Sequence, residues 1–301
     1  MIHYHHESSR GEFTMGISII TDSASDIPQE TAKKWGIKVI PLKVRFGEEE
    51  FLDGVTLPYT VFYEKLVESD TLPKTSQIPP FEYEEIFRNE VDAGNDVIYI
   101  SLSYGVSGCY QSACLAAEEI GGRVHVIDSM QFCISQYIIV ARAVELRDEG
   151  KSADQIVSII EQEKKSARVI SVFDTLEYLK LGGRISAAAA LAGGVLSIKP
   201  VITIENGVVA VVGKARGSKN GNNLLIQYIE KNGGIDFDRP ICLAYSGLSD
   251  IMLKKYLEDS KHLYEGNYKG ELNEIPVAHV GATIGTYAGP GAIACAYFQK
   301  T

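Results

Sequence analysis

A two-domain α/β protein is what this sequence predicts: a first domain with a parallel, Rossmann-like sheet and a second α+β domain with a mixed or antiparallel sheet. Three observations carry the prediction. The 301 residues exceed the usual size of one domain. The first half alternates short β-rich apolar runs with helical segments, as parallel strands joined by crossover helices require. The second half places Asn206-Gly207 between two β-rich arms within 201–212, a hairpin signal and hence an antiparallel element.

The elements follow in order. Residues 17–21 (ISIIT) form an apolar run that ends in the polar cluster 22–26, so a buried strand, a loop and a helix are expected. Pro28 suits the first turn of that helix, where a missing N–H costs nothing. A second strand is expected over 38–46, then a helix opened by Pro58 that carries Val61, Phe62 and Leu66. Residues 74–77 read as a loop, and Pro79 and Pro80 begin the next helix. The run 97–102 (VIYISL) is a strand leading into the loop 103–108. A helix through Cys114 and Ala117, a strand at 124–127 and a long helix from Phe132 to about Arg147 complete the first domain.

The boundary is expected near Ser166, giving domains of 16–165 and 166–301 after a leader of 1–15. In the second domain, Asp174-Thr175-Leu176-Glu177 has the form of a capping box and Gly182 stands where that helix would stop. Helices near 224–229 and 253–257 flank a strand at 241–245, and a strand ends near Val280. Residues 285–291 (GTYAGPG) read as a glycine-rich loop.

Charge and composition exclude several function classes. The net charge of -10 opposes nucleic-acid binding, which needs a basic surface, and docking on anionic membrane by charge alone. The longest apolar run, 187–198, is far short of the ~20 residues a membrane span requires, so no membrane insertion is expected. The five cysteines form no CxxC and cannot all pair, as expected of thiols in a reducing cytoplasm. Walker loops, GxSxG elbows and histidine pairs at metal-ligand spacing are absent, so neither metal nor cofactor is expected.

The loops where glycine and hydroxyl residues coincide remain. Ser103, Gly105 and Ser107 lie between a strand and a helix, where free backbone N–H groups suit an anion; capping and turning explain them equally. Asp22 and Asp128 follow strands, the position of many α/β active sites, and each serves equally as a helix cap. They motivate an alternative reading as a phosphotransferase or hydrolase. The cations Lys180, Arg184, Lys199, Lys214, Arg216 and Lys219 form either a solvated face or a docking site for a phosphate-handling partner.

Taken in order, several segments resemble the DegV family: TDSASDIP at 21–28, KTSQ at 74–77 and SLSYGVSGCYQSA at 101–113. VIDS at 126–129, DTLEYLKLGGRIS at 174–186, the Lys199-Pro200 pair and IGTYAGPGA at 284–292 follow. The resemblance implies a tunnel between two domains that holds one long-chain fatty acid. It also implies a separate fatty acid kinase as partner, to which the acid is presented for acyl phosphate formation. The protein itself would not be an enzyme. Carried over by position, the carboxylate falls to Thr75, Ser76, Ser103, Tyr104, Gly105, Ser107, Thr286 and Tyr287, and kinase docking to Arg184 and Arg216. Two residues depart from the family pattern, Tyr104 where a second serine is usual and Tyr287 where histidine is usual. They motivate a third reading, a regulatory interaction protein without a lipid. Small residues at 187–190 with Gly193 and Gly194 leave room for a slender ligand and the helix 132–144 is apolar enough to line a tunnel, while helix packing alone explains both features equally.

Overall fold

The computed structural model describes residues 16–185 and 198–300. The expected leader 1–15 and the small-residue stretch at 187–190, Gly193 and Gly194 lie outside the described residues.

The first sheet is parallel throughout, in the order β2-β1-β6-β7: β1 is Ile17–Asp22, β2 Lys38–Ile40, β6 Asp96–Ser101 and β7 Val124–Asp128. Its central strands are apolar without alternation because helices cover both faces. On one face, Ile20, Val97 and Tyr99 meet Tyr83, Phe87 and Ala113 from α3 (Pro80–Asp92) and α4 (Cys109–Ile120). On the other, Ile19, Ile98 and Ile100 meet Ile134 and Ile138 of α5 (Ile134–Asp148). Helix α5 is buried nearly all round, since it packs on β1 and β6 and also on the second sheet. Helices α1 (Gln29–Trp35) and α6 (Ala153–Glu163) complete this half, α6 starting in a reciprocal cap between Ser152 and Gln155.

The expected strand over 38–46 is two strands. Pro41 lacks an N–H and interrupts the ladder, so β2 ends at Ile40 and β3 (Lys43–Phe46) enters a separate antiparallel sheet. That sheet has the order β4-β3-β5, with β4 at Glu49–Leu52 and β5 at Lys74–Ser76. The expected loop 74–77 is therefore mostly β5, an edge strand. Helix α2 (Tyr59–Glu68) covers the small sheet with Phe62 and Leu66, while Val61 is exposed.

The second sheet is mixed, in the order β10-β9-β8-β13-β11-β12. Its strands are β8 (Ala167–Val172), β9 (Ile198–Glu205), β10 (Val208–Arg216), β11 (Cys242–Tyr245), β12 (Val277–His279) and β13 (Ile293–Phe298). All its pairs are antiparallel except β11 with β12. Asn206 and Gly207 turn β9 into β10 with positive φ at both positions, the geometry a two-residue hairpin needs. Its outer layer holds α8 (Ser218–Lys231), α9 (Ile251–Asp259) and α10 (Lys261–Tyr264). Among the described residues no helix is long and apolar enough to cross a membrane.

Two local expectations are corrected. Helix α7 (Glu177–Leu181) has no capping box: Thr175 accepts from the Glu177 N–H, and Asp174 is drawn away into an ion pair with Lys199. The glycine-rich loop is largely a helix, α11 (Ala282–Ala288), and only Gly289-Pro290-Gly291 turns. Gly285 lets that helix lie close against α2, since a Cβ there would stand 2.6 Å from Phe62 and 2.8 Å from the Tyr63 hydroxyl.

Candidate functional site

A cavity of about 240 Å³ lies between the two halves of the molecule. Its apolar wall includes Leu102, Val106 and Phe132 from the first half, and Phe173, Ile202 and Ile284 from the second. Its polar groups gather from Thr75, Ser76 and Gln77 at the end of β5, Ser107 before α4, and Arg184 and Tyr287. The Thr75 and Tyr287 hydroxyls are 2.6 Å apart. The Arg184 guanidinium lies 4.6 Å over the Tyr287 ring, and its Nη1 donates to the Gly182 carbonyl. Gly182 leaves room for that ring, which a Cβ would strike, and Gly108 likewise leaves room for the Gln77 amide. A cavity with one polar wall and an aliphatic and aromatic remainder suits a ligand with a small polar head and a long apolar body.

The chain matches, over residues 16–300, the family model described as "Uncharacterised protein, DegV family". It belongs to the DegV family. A DegV domain-containing protein of Caldanaerobacter subterraneus is 35% identical over 286 residues, 94% of this chain and 99% of that one. A DegV-family structure from Thermus thermophilus, described by its fatty acid binding, superposes with a TM-score of 0.83 at 31% identity, covering 94% of this chain and 100% of that chain. A stearic-acid-binding protein of Eubacterium ventriosum superposes with a TM-score of 0.82 at 27% identity, covering 94% and 98%.

The residues carried over from the DegV pattern divide into two groups. Thr75, Ser76, Ser107, Tyr287 and Arg184 line the cavity. Ser103, Tyr104, Gly105, Thr286 and Arg216 do not line it. The fully buried Ser103 hydroxyl donates to the Gly207 carbonyl at the hairpin tip, 2.8 Å away, and accepts from the Gly105 N–H. Gly105 lets that hairpin approach, since a Cβ would stand 2.9 Å from the Gly207 carbonyl oxygen. Tyr104 is exposed, with its N–H donated to Asp128. Thr286 donates back to the Ala282 carbonyl within α11, as hydroxyls inside helices do. Arg216 ends β10, exposed. Arg184, expected at a docking surface, is half-buried against the cavity.

Sequence reasoning left Gln77 and Thr283 out of the site, and both line the cavity. Gln77 stood in a quoted motif; Thr283 carried no signal, because it reaches the cavity only once residues 282–288 wind into a helix.

The carboxylates at the strand ends serve the fold. Asp22 is fully buried and accepts from Ala24 N and Gln136 Nε2 at one oxygen, and from Tyr99 Oη and Leu102 N at the other. Burial pushes its carboxyl up to about 6, against those hydrogen bonds, which lower it. Asp128 accepts from the Tyr104 and Met130 N–H groups. Asp26 accepts from Gly281 N, and Asp53 from Ala282 N and Thr283 N, so two carboxylates of the first half receive the first N–H groups of α11. Burial raises both carboxyls, that of Asp26 well above the usual range. Among the described residues no cluster of His, Cys, Asp and Glu has the form of a metal site.

Proposed function

We propose that this chain binds a single long-chain fatty acid in the cavity and presents its carboxylate to a partner fatty acid kinase, without catalysing a reaction itself. The observation that carries the reading is the cavity's polarity. Thr75, Ser107 and Tyr287 are hydroxyl groups able to donate to a carboxylate, and the rest of the wall is largely aliphatic and aromatic. The fatty acids described for the Thermus and Eubacterium relatives support it. So does the energetics: at ~0.8 kcal/mol per methylene, about fourteen methylenes give ~11 kcal/mol gross, which leaves roughly 7 kcal/mol, or micromolar affinity, after entropic losses at the low end of about 4 kcal/mol and before any contact to the carboxylate.

The kinase is the finer part of the proposal. Arg184 beside the polar wall and the exposed Arg216 are the candidate contacts for a phosphate-handling partner. All five cysteines are free thiols, in keeping with a cytoplasmic setting. The phosphotransferase or hydrolase reading draws no support from Asp22, whose two oxygens are taken up by four internal donors.

Mass spectrometry of the purified protein, native and after denaturing extraction, is the test. A stoichiometric C14–C18 acid is the expected result. A protein recovered empty that also rejects added acid would overturn the reading and favour a regulatory protein without a lipid.

A further inference from the structure

A second void of about 50 Å³ adjoins the cavity, behind five residues that line both: Phe132, Phe173, Ile202, Ile284 and Ala288. Beyond them it is bounded by Val169, Ile204, Val280, Ala244 and Ala294. Ala244 and Ala294 are directly opposed on β11 and β13. The hydroxyl in its wall, Ser171, is already donated to the Ile293 carbonyl at 2.6 Å. Folded interiors leave few voids larger than a water, and an apolar void stays dry. Such a space, divided from a ligand cavity only by side chains that line both, therefore suits the ligand's own apolar end.

We infer that this inner chamber sets the chain length of the bound acid, by receiving its last three or four carbons against Ala244 and Ala294. The inference rests on the fatty-acid reading above. At roughly 15 Å³ of such void per water- or methylene-sized group, 50 Å³ takes three or four groups and 240 Å³ about sixteen. With the carboxylate in the outer cavity, the two chambers together take an acid of roughly sixteen to eighteen carbons. Shorter acids end in the outer cavity and leave the inner chamber empty. Each methylene withdrawn from burial weakens binding about fourfold, so the chamber is worth about 50- to 200-fold between acids that fill it and acids that do not.

Delipidated protein titrated with saturated acids of ten to twenty carbons tests this, alongside Ala294→Leu and Ala244→Val. Wild-type affinity should climb to sixteen or eighteen carbons and then stop. Ala294→Leu should weaken the eighteen-carbon acid about 50-fold or more and leave the twelve-carbon acid within about twofold, with Ala244→Val between. Val169→Ala, which removes atoms and so cannot overpack, should strengthen the twenty-carbon acid. Wild type that binds acids, with variants that melt as it does and keep its length profile, or lose all lengths equally, would overturn the inference and leave the fatty-acid reading intact. Wild type that binds no acid of any length would remove the reading and the inference with it.

Discussion

Ser103→Ala separates the role its position implies from the role its contacts imply. In the fold, the Ser103 hydroxyl joins the two halves by donating to Gly207 O, and it is fully buried. Gly207 is buried too, while Gly105, whose N–H Ser103 also accepts, is exposed and can turn to water. The variant therefore strands one buried carbonyl, at a cost of about 1–2 kcal/mol. For a chain of 301 residues, at ~2.1 cal/mol/K of unfolding entropy per residue, that lowers the melting temperature by about 2–3 °C. Fatty-acid affinity should stay within about threefold, because Ser103 does not line the cavity. Thermal unfolding by circular dichroism and titration with palmitate read the two quantities separately. Unchanged melting with a tenfold or greater loss of affinity would refute this reasoning and return the hydroxyl to the carboxylate.

Three more expectations follow from the contacts. Tyr287→Phe removes the hydroxyl 2.6 Å from Thr75 at the polar wall and should weaken palmitate binding by about tenfold, with the melting temperature nearly unchanged; equal affinity in titration would place the carboxylate elsewhere. Gly285→Ala drives a Cβ into Phe62 and Tyr63, and should cost about 1–3 kcal/mol in denaturant unfolding. Asp22 is raised to about 6 from 3.8 by burial, so the folded state holds a proton that the unfolded chain has lost between those values. Its contribution falls as pH rises across that window and levels off above 6, by about 3 kcal/mol in all. Unfolding free energies of wild type and Asp22→Asn measured from pH 4 to 7 should diverge accordingly, and parallel curves would contradict it.

Much of the fold was legible because it rests on local chemistry. The uninterrupted apolar runs 17–21 and 97–102 announced strands covered on both faces, and Asn206-Gly207 announced its hairpin, because only residues tolerant of positive φ make that turn. The ordered motifs marked which loops meet, and Thr75, Ser76, Ser107 and Tyr287 do come to one cavity.

Only the tertiary structure decided the rest. Pro41 divides one apparent strand between two sheets, and 282–288 winds into a helix because it packs on α2 and its first N–H groups find Asp26 and Asp53 from far along the chain. Residues adjacent in sequence part company the same way: Ser107 faces the cavity while Ser103 and Gly105 meet a hairpin that arrives a hundred residues later. Arg184 is drawn against Tyr287, and β11 and β13 set Ala244 opposite Ala294 in the wall of the inner void. Periodicity and turn chemistry report what a segment prefers locally; which side chain faces a void depends on partners that no local window contains.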